Sequence, residues 1–244
     1  LSWVQNKTPV RVGFLGRALA AALLAASASA AAANVLVVRS SGPSARAYPA
    51  GRSLPDNARL TLQAGDTIVV LGGGGTRTFR GPGTFSPGSA VRAGVRTADN
   101  GGRRARIGAV RSAGIVPRGP TIWHVDVTQS GTFCLASARN VMLWRPDASA
   151  PARLTISGPG GAARTLQWPA GQPTIAWPRG ATLASGGTYS FAERGVAVPT
   201  RITFRVLDSQ PADVEGVAAA LIANGCEAQL DVLVETQPEQ SAGG

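Results

Sequence analysis

The sequence predicts a mainly β protein: a small N-terminal β domain over residues 34–85, a larger antiparallel β-sandwich over 121–207, and one C-terminal helix with a final strand over 208–235. Three observations carry this. Apolar and polar residues alternate over many short stretches, the period-two pattern of half-buried strands. The chain holds 31 Gly and 17 Pro but only 5% aromatic residues, and these turn formers punctuate the stretches at short spacing. Helical spacing of apolar residues is confined to one place near the C-terminus. With 244 residues, 44% of them hydrophobic, there is enough apolar material for the cores of one large or two small domains.

Residues 1–33 read as an export signal. Lys7, Arg11 and Arg17 precede an uncharged run from Ala18 to Ala33, no acid occurs before Asp56, and Ala28-Ser29-Ala30 and Ala31-Ala32-Ala33 fit a small-residue cleavage rule. A retained anchor needs about 20 strongly apolar residues, whereas this run is shorter and mostly alanine. Cleavage is expected to leave a periplasmic or secreted chain with no transmembrane span. The signal takes three of the 24 basic residues and none of the 13 acidic ones, so the remainder stays cationic, 21 against 13. A basic surface in an envelope favours acidic partner proteins, polysaccharides or anionic lipid head groups. Every basic residue except Lys7 is arginine. The guanidinium fork suits carboxylates and phosphates, and a GC-rich genome produces the same bias together with abundant Ala, Gly and Pro.

After the signal, Val35-Leu36-Val37-Val38 reads as a buried strand. Turn-rich segments follow at Ser41-Gly42-Pro43 and Pro49-Ala50-Gly51. Leu60 to Gln63 alternates, Ala64-Gly65-Asp66 makes a turn, Thr67 to Leu71 is a strand, Gly72 to Gly75 is a hairpin tip, and Thr76 to Phe79 returns before Gly81-Pro82-Gly83. This order of strand, Gly-Asp turn, strand, Gly-rich tip, strand and Gly/Pro turn resembles the FecR-type and related small β domains of bacterial envelope proteins. Leu62, Gly65, Asp66 and Ile68 match the phrase L-x-x-G-D-x-I, with Gly81-Pro82-Gly83 as the closing turn, over about 50 residues. The resemblance implies a non-catalytic β domain used in signalling or scaffolding, and it brings no catalytic residues.

Residues 86–120 read as an Arg-rich linker or loop, with seven arginines against the single acid Asp99. Arg92, Arg96, Arg103, Arg104, Arg106, Arg111 and Arg118 are the candidate anion-binding residues. From Thr121 the alternation is sustained: Trp123, Val125 and Val127 share one face, His124 and Asp126 the other. Strands are expected at Gly131–Ala136, Asn140–Arg145, Arg153–Ser157, Arg164–Trp168, Thr174–Trp177, Thr188–Phe191 and Arg201–Leu207. Their number and spacing suit an immunoglobulin-like sandwich, with Trp123, Trp144, Trp168 and Trp177 in its core.

A helix is expected beyond Asp208, capped by Ser209 or Asp213, with Pro211 in its first turn, Val214, Val217, Leu221 and Ile222 on its apolar face, and Asn224-Gly225 as its stop. Ala228 to Val234 is expected to be the final strand, and residues 236–244 a disordered tail. Cys134 and Cys226 are the only cysteines. Export places them where disulfides persist, and a bridge would tie the helix end to the strand carrying Cys134. Closing a loop of about 90 residues stabilises by roughly 4 to 5 kcal/mol in the chain-entropy account. Two buried free thiols is the other reading.

Sites for chemistry are sparse. His124 is the only histidine, so it is the only imidazole base available, and no G-x-S-x-G elbow accompanies it. The Gly72–Gly75 tip is not followed by G-K-[ST], which removes the phosphate-cradle reading. There is no C-x-x-C, and a Cys/His zinc site lacks ligands. No cofactor, metal or catalytic residue is expected. The expected function is that of an exported, non-enzymatic envelope protein: an interaction, scaffold or signalling-accessory module whose partner is another envelope protein, with no nucleic-acid partner. The alternative is a binder of anionic polysaccharide or lipid head groups through the arginines of 92–118. An unrecognised hydrolase is the third reading, and it depends on a pocket that joins His124 to a buried acid and a hydroxyl.

Overall fold

The computed structural model describes residues 34–88 and 119–240. The expected signal (1–33) and all seven candidate anion-binding arginines lie outside the described residues. In chain order the elements are β1 (Asn34–Ser41), β2 (Ser53–Pro55), β3 (Leu60–Leu62), β4 (Thr67–Gly72), β5 (Gly75–Arg80), β6 (Gly83–Phe85), β7 (His124–Asp126), β8 (Gly131–Leu135), β9 (Met142–Trp144), β10 (Ala152–Ser157), β11 (Arg164–Trp168), β12 (Thr174–Ala176), β13 (Thr188–Glu193), β14 (Thr200–Val206), α1 (Val214–Ala223), α2 (Glu227–Thr236) and β15 (Glu239–Gln240). The fold is mainly β, with several sheets and two helices near the C-terminus.

The first sheet has the order β15-β5-β4-β1-β2. The unbroken apolar run at Val35–Val38 marks a strand buried on both faces. Val35 and Val37 join Leu54, Leu60, Leu62, Ile68, Val70 and Phe79 on one side, beneath the small β3–β6 sheet. Leu36, Val38 and Leu71 pack on the other side with Leu207, Ala218, Leu221, Leu230, Leu233 and Val234. The Gly-Asp turn is structural. Asp66 is 2% exposed; its carboxylate accepts from the Ser44 N–H at 2.9 Å and from the Gln63 N–H, and so holds the single turn of 3-10 helix at Pro43–Arg46 against the start of β4.

The sandwich places the five-stranded sheet β11-β10-β13-β14-β8 against the three-stranded sheet β12-β9-β7. Its core joins Val125, Leu143, Leu154, Ile156, Trp168, Tyr189, Phe191, Ile202 and Phe204, with Trp177 edge-on to Tyr189, Phe191 and Phe204 at centroid distances of 5.4, 6.3 and 5.7 Å. Trp168 is buried and Trp177 half-buried at this core, whereas Trp144 is buried without joining it and Trp123 packs in the helix-side cluster. Three pairings are parallel: β14 with β8, β7 with β9, and β15 with β5. Each joins strands separated by a long stretch of chain, which is the condition parallel pairing requires.

Several further expectations need correction. Ala228–Val234 is not a strand but most of α2. Cys226, Gln229, Leu230, Leu233 and Val234 are all buried and recur at spacings of three and four, so one helical face is covered, and reading Leu230, Val232 and Val234 as alternation misses that stronger period. The tail expected to fray from residue 236 is docked as far as Gln240: β15 pairs with Thr76 and Arg77, and Arg77 Nε donates to Gln240 Oε1 at 2.8 Å. Gly75 permits this approach, because a Cβ there would lie 2.2 Å from the Pro238 carbonyl oxygen. The expected cap of α1 is present at Asp213, whose carboxylate accepts from the Gly216 N–H at 2.6 Å, while Pro211 lies before the cap and outside the first turn.

Candidate functional site

Helix α2 stands between two hollows, and each of its flanks lines one. Ala228, Gln229 and Val232 face a cavity of about 90 Å³ beside β7 and β8. Glu227, Leu230 and Asp231 face a larger cleft of about 730 Å³ over the first sheet.

The smaller cavity surrounds the open edge of β8. The parallel register pairs Phe133 with Phe204 and Leu135 with Val206, and the Leu135 carbonyl accepts from the Leu207 N–H, so these residues turn their peptide groups to β14. Cys134 therefore turns its own outward. There its N–H donates to Gln229 Oε1 at 2.6 Å, while Gln229 Nε2 donates to the Cys134 carbonyl at 2.9 Å and to the Ile122 carbonyl at 2.8 Å. A buried side-chain amide thus takes the place of a neighbouring strand's peptide group. The Cys134–Cys226 disulfide, with a Cα separation of 5.9 Å, ties the start of α2 to the same residue of β8. By strand alternation Thr132 presents its N–H and C=O on this side too, into the cavity, and no hydrogen bond between them and another described residue is present. Ile122, Phe133, Ile202, Ala228 and Val232 make the remaining wall largely apolar.

His124 lines this cavity rather than an open surface, which bears directly on the hydrolase reading. Its Nδ1 is 2.8 Å from Thr121 Oγ1. Asp126, half-buried, also lines the cavity, but its Oδ1 accepts from the Thr128 N–H at 2.9 Å and the Thr128 hydroxyl at 2.6 Å. Ser130 Oγ accepts from the Arg201 N–H at 3.0 Å. The three groups that a nucleophile, base and acid would need are therefore each tied to another partner. No hydrogen bond links them among the described residues. Neither do three or more His, Cys, Asp or Glu side chains converge there in a metal-binding group.

The larger cleft owes one wall to an irregularity in β1. Val37 pairs with Val70 and Arg39 with Val69, so the strand bulges at Val38 and turns both Val38 and Arg39 toward the helices. Val38 is buried against them, whereas Arg39 reaches the cleft and pairs with Asp231 at 2.5 Å. Arg80, in the row Ser41–Thr67–Arg80 across the sheet, lines the same cleft.

Sequence reasoning found His124, Asp126 and the disulfide but not Thr132, Gln229, Arg39 or Arg80. The helical period of 226–234 would have revealed Gln229; strand pairing and the bulge leave no sequence mark that would have revealed the others. Among the described residues no helix is long and apolar enough to cross a membrane. No protein-family model, no curated protein and no solved structure matches the chain.

Proposed function

We propose that this chain is a non-enzymatic interaction module of the bacterial envelope, exported by its N-terminal segment, which takes an extended segment of a partner protein by strand addition at the edge of β8. The observation that carries the reading is the outward-facing peptide of Thr132 at the mouth of an apolar cavity. An unpaired strand edge is a template for another chain, and recognition by strand addition takes its affinity from main-chain hydrogen bonds and its specificity from a pocket for alternate side chains. Gln229 already completes the edge at Cys134 and the disulfide anchors the helix that bears it, so the acceptor edge is held rigid. The resemblance of Leu62-Gly65-Asp66-Ile68 to FecR-type domains supports an accessory role of this kind.

The test is a photocrosslinking residue placed at Thr132 of the full chain in its host. A crosslinked partner that disappears when Ala228→Arg fills the cavity is the expected result. With the photocrosslinking residue moved to Gln129, which lines the same cavity, Thr132→Pro removes the edge N–H without touching the β14 ladder and is expected to abolish the crosslink. A crosslink pattern at Thr132 no different from that of a residue placed at exposed Val196 would overturn the reading.

A further inference from the structure

The open edge of β8 is one residue long. Thr132 and Cys134 turn their peptide groups away from β14, and Gln229 takes both of those of Cys134. Of these outward groups, only the N–H and C=O of Thr132 have no hydrogen bond among the described residues. A partner segment therefore pairs at a single position, as a short extended stretch and not as a full strand. Two main-chain hydrogen bonds give little affinity by themselves. The side chain that enters beside them decides what is held.

Strand alternation says which side chain that is. Directly opposed residues on neighbouring strands point to the same face, and the next residue along points to the other. Phe133 packs with Ile202 against the sandwich core, and both line the small cavity, so the cavity lies under the edge on the core side. His124 and Asp126 of β7, the edge strand of the facing sheet, line it as well. The cavity thus opens between the edges of the two sheets. A residue opposite Thr132 turns its side chain away from this opening, and the residue next to it turns its side chain in.

The cavity limits that side chain in size and in polarity. Its volume is about 90 Å³, against about 150 Å³ for a dry apolar cavity that admits benzene. Its walls yield little: Ile202 is buried in a close-packed core, and the disulfide ties the start of α2 to β8. Of the polar side chains around it, His124 bonds Thr121, Asp126 bonds Thr128, Ser130 bonds Arg201, and Gln229 bonds Ile122 and Cys134. A polar side chain finds few partners there.

We propose that the partner segment is recognised by one valine-sized aliphatic side chain seated between β7 and β8, next to a single main-chain pairing at Thr132; this specificity rests on the strand-addition reading. An aromatic ring exceeds the space, and a carboxylate would be desolvated without a partner. Alanine leaves the floor empty. The two further carbons of valine correspond to about tenfold in affinity.

The experiment is an NMR titration of the isotope-labelled full chain with millimolar N-acetyl-Ser-Ser-Xaa-Ser-Ser-amide, where Xaa is Ala, Val, Phe or Asp. The valine peptide is expected to shift the amides of Thr132 and Val232 and not that of Arg80 in the larger cleft. It is expected to bind about tenfold more tightly than the alanine peptide and at least tenfold more tightly than the other two. Ala228→Leu, at an exposed helix position, brings three more carbons to the cavity wall. It is expected to reduce the valine peptide to the affinity of the alanine peptide with the thermal melt unchanged. A valine peptide N-methylated at Xaa and at both neighbours offers the Thr132 carbonyl no N–H, and it is expected not to bind. Four peptides that bind alike and lose binding on N-methylation, a phenylalanine peptide as tight as the valine one, or an Ala228→Leu chain that holds valine as before would overturn the side-chain assignment and leave strand addition standing. Undiminished binding of the N-methylated peptide, or no shift with any peptide, would overturn both.

Discussion

The Gln229 side chain and the Cys134 main chain are hydrogen-bonded in both directions, at 2.6 and 2.9 Å, so a helix residue supplies β8 with the neighbour its sheet does not. Gln229 is 3% exposed and also donates to the half-buried Ile122 carbonyl, so its amide serves three main-chain groups. A net contribution of about 1 kcal/mol for each bond, plus the cost of orphaning the groups, puts Gln229→Ala at about 2–4 kcal/mol of lost stability. Gln229→Glu keeps one acceptor, loses both donors and buries a charge, and is expected to cost more. Urea unfolding of the three chains side by side measures this.

The disulfide acts on the same junction from the opposite end of the residue pair. Its cysteines are 92 positions apart, so it restricts a long loop of the unfolded chain. The double variant Cys134→Ala/Cys226→Ala is expected to lose roughly 2–5 kcal/mol. Thiol titration of the folded protein is expected to find free thiols only after reduction. Because the bridge and Gln229 hold one contact, the losses from removing both are expected to be non-additive, and a double-mutant cycle reads the difference.

Leu60–Leu62, Ala152–Ser157, Thr188–Glu193 and Thr200–Val206 were legible in the sequence because their buried residues sit at every second position. Ser53–Pro55 and Gly83–Phe85 were not, since three residues inside turn-rich sequence hold no readable period. Misreading Ala228–Val234 had a further consequence: without α2 there is no Ala228, Gln229 or Val232 wall, and His124 passes for a surface residue. Arg39 follows β-strand alternation only up to the bulge at Val38, and a bulge is set by the partner strand. The edge at Thr132 depends in the same way on pairing between β8 and β14, some 70 residues apart.

Asp66 is expected to make stability sensitive to acid. Burial works to raise its pKa, but the hydroxyl and N–H of Ser44 and the N–H of Gln63 together hold the carboxyl below its ordinary value. A depressed folded pKa means the contribution is complete above the unfolded value of about 3.9 and is lost as pH falls through the folded one. Asp66→Asn is therefore expected to be less stable than the parent at pH 7 and to flatten the acid limb of the stability profile, measured by urea midpoints between pH 7 and pH 2. Gly42→Ala attacks the same turn: the new Cβ would lie 2.5 Å from Asp66 Oδ1, at a backbone φ of +97°. It is expected to cost about 1–3 kcal/mol.

His124 provides a check on the proposed non-enzymatic role. With its Nδ1 committed to Thr121 and Asp126 committed to Thr128, the imidazole lacks the orienting acid that a general base relies on. Activated esters are expected to be hydrolysed no faster with the protein than with His124→Ala. A rate that falls in this variant and follows a single titration would restore the hydrolase reading.

Arg145 shows that one arginine of this Arg-rich chain serves packing. It is 6% exposed, its Nη2 donates to the Pro169 carbonyl at 2.8 Å and its Nε to the Gln172 carbonyl at 3.4 Å, and its guanidinium carbon lies 5.0 Å from the Trp168 ring centre. Trp168 Nε1 donates to the same Gln172 carbonyl at 2.7 Å, so the ring and the guanidinium share one acceptor and stack. Asp147 nearby is held below the ordinary carboxylate range, first by the hydroxyl and N–H of Ser149 and then by the Arg145 charge. Lysine has the charge but neither the plane nor the fork. Arg145→Lys is therefore expected to lose about 1–2 kcal/mol, and Arg145→Met, which orphans the Pro169 carbonyl but buries no charge, about as much. If arginine served here only as a positive charge, Arg145→Lys would unfold at the parent's urea midpoint.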